Sequence, residues 1–284
     1  MSYDNHEREL MQVKLIALDL DGTALSSKRE LTKRTRTAIE NAIKKSVHVV
    51  IATGRAHSAL PVEVFGVDGM NYLITSNGAI ITDIRTDEII YSNCIDVKAL
   101  EDTISLLRNY NFMLEVFIKG YAYVDKKIYD KVSDMNLKQH HKDYIIETRK
   151  PIENLLDFAL MHKELVENIN VNFEYQNDRS MMRQVLGTLK NVTVTTSFDH
   201  NLEIGGATTS KADAIKFLCD KYGISQSEVM ACGDSPNDMA MLKFSGIPVA
   251  MGNAKGEVKE IAKYVSSTND EDGVAEAIER FVLC

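Results

Sequence analysis

At both ends of the 284-residue chain, short fully apolar runs alternate with segments whose apolar positions recur at helical spacing. Leu15, Ile16, Ala17 and Leu18 form the first run, and residues 47–52 and 72–75 form the next two. A run apolar on both faces reads as a strand covered from both sides. Between the first two runs, Thr32 stands as an N-cap before Ala38, Ile39, Ala42 and Ile43, which share one helix face. Residues 58–65 read as a further helix in spite of Pro61. Toward the C-terminus the spacing predicts a helix over 210–222 that stops at Gly223, then a strand over 228–232. A helix over 237–244 follows, with Pro236 suited to its first turn, then a strand over 247–251 and helices over 256–262 and 273–282. Apolar strands alternating with helices predict a parallel sheet with helical crossovers.

The middle of the chain has a different texture. Residues 79–82 and 88–92 flank a polar turn and read as a hairpin. An amphipathic helix is predicted over 97–110. Residues 113–118 and 121–124 alternate on either side of Lys119-Gly120, a second hairpin signal. Residues 126–150 are polar and charged and include the pair His140-His141. Segments 152–156, 159–162, 169–175 and 181–190 alternate between helix-like and strand-like character, 192–196 is a β-branched strand, and the parallel pattern returns near Leu202. The expected organisation is one α/β domain built from residues 1–82 and 198–284. An α+β module with antiparallel strands, residues 83–197, interrupts it, and residues 1–12 form a polar, frayed extension.

Composition narrows the function more than the fold. With 44% hydrophobic and 26% charged residues the chain is an ordinary globular protein. Its 33 basic and 41 acidic residues give a net charge of −8, which offers no attraction to nucleic acid or to an anionic membrane. An anionic substrate therefore has to be drawn in by a metal or by local cations. Cys94, Cys219, Cys232 and Cys284 form neither a CxxC pair nor a zinc spacing, and scattered thiols fit a reducing cytosol. No apolar run approaches the roughly 18 residues that span a bilayer. A cytoplasmic protein is expected.

The polar residues at the ends of the predicted strands carry the chemistry. Asp19 and Asp21 lie one residue apart where the first strand frays, so their side chains emerge on the same side. Two such charges call for a cation or a shared proton, although an Asp-Gly turn is the plainer alternative. Thr53-Gly54, Lys211 and the group Asp234, Asn237 and Asp238 occupy comparable strand ends or a helix start. In open α/β sheets, ligands bind outside the carboxyl ends of the strands. Carboxylates suit Mg²⁺, whereas a hydroxyl, an ammonium and loop N–H groups suit phosphate oxygens. No Ser-His-Asp or Cys-His pair and no GxxxxGK[ST] loop is present, so the available nucleophile is a carboxylate. Each residue also has a plainer role: Thr53 as a helix cap, Lys211 as a solvated side chain, Asp238 as an acid at a helix N-terminus. His140, His141 and His200 read as surface or cap residues rather than ligands, and Met181, Met182, Met239 and Met241 as core.

DLDGT at 19–23, ATGR at 52–55, the lone Lys211 and GDSPND at 233–238 occur in the order of the four motifs of the haloacid dehalogenase superfamily, which this chain resembles from about Val13 onward. The long insertion between the second and third motifs resembles the type IIB cap of Cof-like sugar-phosphate phosphatases. Ala212 follows the lysine where the family often has Gly. The resemblance implies a Rossmann-like core, an inserted α+β cap, and a Mg²⁺-dependent phosphatase acting on a small phosphorylated metabolite. It assigns Asp19 as the nucleophile that becomes an aspartyl-phosphate, and Asp21 as the general acid and base. It gives Mg²⁺ to the Asp19 carboxylate, the Asp21 backbone carbonyl and Asp234, with Ser235 and Asp238 beside the ion. Phosphate contacts fall to the Leu20 and Gly54 N–H groups, Thr53, Lys211 and Asn237, and substrate contacts to Arg55 and Asn77. A phosphomutase or phosphotransferase of the same superfamily, or a phosphometabolite-binding protein without turnover, is the competing expectation. Specificity is expected in the cap, between about Arg85 and Thr196.

Overall fold

A computed structural model of the protein describes residues 12–134 and 139–284. Apart from Gln12, the expected N-terminal extension lies outside the described residues, as do the expectations for the side chains of His140 and His141. The chain begins with β1 (Leu15–Leu18), β2 (His48–Ala52), β3 (Tyr72–Thr75), β4 (Ile80–Asp83) and β5 (Glu88–Ser92). A second set follows: β6 (Met113–Ile118), β7 (Tyr121–Asp125), β8 (Arg149–Ile152), β9 (Val166–Asn172), β10 (Val192–Thr195) and β11 (Asn201–Gly206). It ends with β12 (Val229–Gly233), β13 (Ile247–Ala250) and β14 (Tyr264–Val265).

The first and last sets make one eight-stranded sheet in the order β14-β13-β12-β1-β2-β3-β4-β5. From β14 to β3 all neighbours are parallel. Every residue of β1, β3, β12 and β13 is buried, as continuous apolar strands covered on both faces must be. Burying a single Leu or Ile side chain contributes about 1.5–3 kcal/mol. The helix Lys33–Lys44 starts at Thr32, whose side chain accepts from the Thr35 N–H, and it buries Ala38, Ile39 and Ala42 on the sheet.

The second set makes a six-stranded cap sheet in the order β10-β11-β9-β6-β7-β8, antiparallel except for β7 with β8. One face packs a separate apolar cluster that includes Leu100 and Ile104 of the helix Val97–Leu107 and Met182 and Leu186 of the helix Gln176–Leu186.

Three expectations need correction. The sheets do not divide the chain at 83 and 197. β4 and β5 are antiparallel additions to the core sheet, so the first crossing lies near Asn93. At the other side, β11 pairs antiparallel with β9 and β10 in the cap sheet, so the parallel pattern does not resume at Leu202. Leu202 and Ile204 are buried apolar residues in either sheet, and an apolar run carries no information on the direction of its partner. The two connecting segments lie side by side, with Thr209 Oγ1 donating to the Asn93 carbonyl at 2.7 Å. The helix expected over 58–65 is broken into a 3₁₀ turn, His57–Ala59, and the short helix Val62–Phe65. Leu60 has ψ 138°, because the ring of Pro61 disfavours the helical region for the residue before it.

Candidate active site

The register of the parallel strands aligns their carboxyl ends. Leu18 lies opposite Ile51 of β2 and Cys232 of β12. The loops that follow therefore bring Asp19, Thr53-Gly54 and Asp234 to one edge of the sheet, from positions more than 200 residues apart. The Asp19 N–H continues the ladder by donating to the Cys232 carbonyl at 3.0 Å.

Lys211 is the first residue of the helix Lys211–Tyr222, capped by Ser210, whose side chain accepts from the Asp213 N–H. Its side chain is 0% exposed and ends between two carboxylates, 2.5 Å from Asp19 Oδ1 and 2.6 Å from Asp238 Oδ1. Burial lowers the pKa of this ammonium, but the two carboxylates outweigh that effect and leave it raised, hence charged. The start of this helix is set by Gly78, at φ 98°, where a Cβ would stand 2.1 Å from the Ser210 carbonyl oxygen. Only glycine allows the 76–78 turn to come so close to the helix that carries the lysine.

Asp238 is committed on both oxygens. Oδ1 takes Lys211, and Oδ2 accepts from the N–H groups of Asp234 and Ser235 at 2.9 and 3.0 Å. Asp234 accepts instead from the hydroxyls of Thr23 and Ser235, both at 3.0 Å. Carboxylate oxygens of Asp19, Asp234 and Asp238 all lie within 4.8 Å of one another. Burial, and then the neighbouring Asp238 charge, push Asp234 up to about 6 and Asp19 well above its ordinary range. Carboxylates crowded in this way prefer to share a proton or a cation. Their hard oxygens fit Mg²⁺, with Asp19 and Asp234 the better-placed donors: Asp238 is held by an ammonium and two backbone N–H groups, whereas Asp234 accepts from two hydroxyls that can turn away.

Asp21 stands apart from this cluster. Its carboxylate takes a two-pronged contact from Arg55, Nε to Oδ2 at 2.7 Å and Nη2 to Oδ1 at 2.6 Å. Arg55 also donates to the Ala59 carbonyl and lies 5.1 Å from the ring centre of Tyr144, a cap residue. Arg29 and Arg149 lie 5.0 and 4.5 Å from the same ring. Thr53 Oγ1 accepts from the Arg55 N–H, so it caps its own turn. Asn77 Nδ2 donates to Glu203 at 2.9 Å, while Asn77 Oδ1 accepts from Asn237 Nδ2 at 3.1 Å. His200 stacks on Phe198.

Sequence reasoning missed the cap carboxylates that close onto this edge. Glu167, on β9, accepts from the Ser76 hydroxyl at 2.6 Å, and Glu203, on β11, accepts from Asn77 and Ser197. Both are buried, and burial raises the pKa of each. The signal for Glu203 was there in outline: a charged residue between Leu202 and Ile204 marks the second face of a strand that has no solvent side. Arg55 was expected against substrate and is found on Asp21. Leu20 is buried behind its loop, its carbonyl accepting from the Thr23 and Leu25 N–H groups.

A sequence profile of haloacid dehalogenase-like hydrolases matches residues 16–278. The chain is 32% identical over 286 residues to 5-amino-6-(5-phospho-D-ribitylamino)uracil phosphatase YcsE of Bacillus subtilis (strain 168), covering 98% of this chain and 99% of that one. A solved haloacid dehalogenase-like hydrolase from B. subtilis superposes with TM-score 0.82 at 30% identity, over 94% of this chain and 99% of that one. A subclass IIB sugar phosphatase superposes with TM-score 0.80 over 95% of this chain and 99% of that one; at 22% identity it shares the fold. Among the described residues, no helix is long and apolar enough to cross a membrane.

Proposed function

The chain belongs to the haloacid dehalogenase-like hydrolases and is an enzyme of their phosphatase kind, and from that premise we propose that it is a Mg²⁺-dependent phosphatase of a small phosphorylated metabolite, a sugar or polyol phosphate, working through an aspartyl-phosphate. The observation that carries this reading is the burial of Lys211 between Asp19 and Asp238, beside Asp234. A structural core has little use for three carboxylates around one ammonium, because desolvating each charge costs several kcal/mol. A dianionic phosphoryl group at the same edge gives that arrangement a purpose.

In this proposal an Asp19 oxygen attacks phosphorus, the bond to the ester oxygen breaks, and Asp21 protonates the departing alkoxide. Water then hydrolyses the aspartyl-phosphate as Asp21 takes up its proton. Lys211 holds Asp19 Oδ1 and so fixes the rotation of the nucleophile. Arg55 holds Asp21 on the other side of the loop. Thr53, the Leu20 and Gly54 N–H groups and Asn237 surround the phosphoryl oxygens, with Ser235 and Asp238 supporting Asp234. Bound by Asp19, Asp234 and the Asp21 carbonyl, Mg²⁺ would neutralise charge on the transferring group. The cap residues Glu167 and Glu203 hold the cap down on the core and keep bulk water from the site.

The test is phosphate release from a panel of phosphorylated metabolites, with and without Mg²⁺. Release that requires the metal and disappears in Asp19→Asn supports the assignment. Release that survives in Asp19→Asn contradicts it.

A further inference from the structure

Arg55 is held at its edges by the core and on its face by the cap. Its Nε and Nη2 reach both oxygens of Asp21, and its Nη1 donates to the Ala59 carbonyl at 2.8 Å. Those bonds run in the plane of the guanidinium and leave its flat face to a π surface. The ring of Tyr144 lies there, with its centre 5.1 Å from the guanidinium carbon. Tyr144 comes from the cap helix Gln139–Thr148 and belongs to none of the four motifs.

The ring is anchored in turn. Arg149, at the start of β8, lies 4.5 Å from it. Its Nε and Nη2 donate to the buried Glu115 at 2.9 and 3.0 Å, and its Nη1 to Thr148 Oγ1 at 2.8 Å. Glu115 also accepts from Asn170 Nδ2 at 2.9 Å, so this side of the contact is tied into β6, β8 and β9 of the cap sheet. On the core side Arg29 lies 5.0 Å from the same ring. It sits in a turn that its N–H closes onto the Ser26 carbonyl at 2.8 Å, with a φ of 63° that few non-glycine residues adopt. The segment after Arg55 meets the cap as well. Ala56 clusters with Phe117 and Ala122, and the Ser58 N–H donates to the Gly120 carbonyl at 2.8 Å. A ring that only filled space would meet apolar side chains. This one meets cations from both domains, and the side chains of Arg55 and Arg149 are only 10% and 7% exposed, where a cation–π contact is strongest.

We propose that Tyr144 is a positioning residue for proton transfer: its ring fixes the guanidinium of Arg55, which fixes the carboxyl of Asp21, so that the acid serving the leaving group is in place only while the cap is seated on the core. The inference rests on the phosphatase assignment and adds to it a residue, and a route by which closure of the cap reaches the proton donor. Asp21 has to bring its proton to the ester oxygen as the bond from that oxygen to phosphorus breaks, and a misplacement of about 1 Å costs a large part of such a step. A carboxyl anchored through one oxygen by Arg55 presents the other to the ester. When the cap lifts, Tyr144 leaves with it, the face of Arg55 opens to water, and Asp21 loses its fixed bearing.

The test separates proton donation from closure. It compares kcat/KM in Mg²⁺ for p-nitrobenzyl phosphate, whose alkoxide needs a proton to leave, with that for p-nitrophenyl phosphate, whose phenolate leaves without one. The two esters differ by one methylene, and the fastest ester of the metabolite panel replaces the benzyl ester if that is not turned over. kcat/KM covers binding and transfer to Asp19, so the later hydrolysis of the aspartyl-phosphate, common to both esters, does not enter. Tyr144→Leu should lower the value for the benzyl ester by at least about tenfold and that for the phenyl ester by less than about threefold, a part of the roughly 10²-fold to 10⁴-fold that a general acid supplies. Tyr144→Phe, which keeps the ring, should recover most of the benzyl-ester rate. Tyr144→pentafluorophenylalanine keeps the shape but removes the negative face that attracts a guanidinium, and should not recover it. That variant frees the test from whether leucine is tolerated at this position. An equal fall for both esters, or no fall, overturns the role of Tyr144 and leaves the phosphatase assignment standing. Full benzyl-ester activity in the pentafluorophenylalanine variant does the same. Wild-type enzyme that releases phosphate from neither ester nor from any member of the metabolite panel overturns both.

Discussion

Lys211 Nζ lies 2.5 Å from Asp19 Oδ1, although 192 residues separate the two and the lysine has no exposure to solvent. This contact joins the start of a helix to the end of the first strand and completes the site. Lys211→Met should cost about 3–5 kcal/mol of stability, because it leaves two buried carboxylates without their cation. Urea unfolding measures this, and a loss below about 1 kcal/mol would show that the pair is better solvated than its burial implies.

Asp19→Asn keeps the shape of the side chain and removes the nucleophile. Phosphate release should fall to background while the thermal midpoint changes little, since a neutral amide relieves the crowding that raises the pKa of Asp19. Turnover within about tenfold of wild type would rule out a covalent role for Asp19.

Asp21→Asn separates metal binding from proton transfer. Because the Asp21 carboxylate faces Arg55 and lies outside the carboxylate cluster, the variant should bind Mg²⁺ with near wild-type affinity by calorimetry. Its turnover should be about 10²-fold to 10⁴-fold slower, the usual range for loss of a general acid. Lost metal affinity would instead place the Asp21 side chain on the ion.

The raised pKa of Asp234, about 6, sets the sign of a pH effect. A carboxyl whose folded pKa lies above its unfolded value favours the fold while it is protonated. That contribution is full below the unfolded value, near 3.8, and is lost as pH rises through about 6. The metal-free protein should therefore lose on the order of 2 kcal/mol between pH 4 and pH 7 through this group, at 1.36 kcal/mol per unit with a discount for solvent. Mg²⁺ should stabilise the protein more at pH 7.5 than at pH 5. Thermal shifts at the two pH values check this, and a metal effect independent of pH would contradict it.

Gly78→Ala should be among the most damaging single-methyl changes in the chain. A Cβ there meets the Ser210 carbonyl oxygen at 2.1 Å and the Lys211 nitrogen at 2.9 Å, at a φ of 98° that other residues rarely adopt. A loss of more than about 2 kcal/mol is expected from strain and displacement of the helix. Activity should fall further than stability, because Lys211 moves with the helix. A fully active and stable Gly78→Ala protein would show that the turn can relax.

The sequence by itself determined the core strands, the order of the chemical motifs and the edge at which they meet. Continuous apolar strands have to be buried in a parallel sheet, and ligand chemistry collects at the carboxyl ends of such strands. Lys211 was legible as a motif, whereas its complete burial between Asp19 and Asp238 was not, because the contact depends on how closely Gly78 admits the helix. Asp21 and Arg55 were both identified, and their pairing came only from the fold.

The tertiary structure decided the division of the chain. β4, β5 and β11 are short, ambiguous strands, and which sheet each joins depends on pairing partners far away in sequence. It also decided the meaning of Glu203. A single charged residue in an apolar stretch says little locally, because its neighbours in space, Asn77, Asn170 and Gly54, come from three other segments of the chain. Strand alternation fixes which side of the cap such a residue faces, and only the closed arrangement of two domains puts the active site on that side.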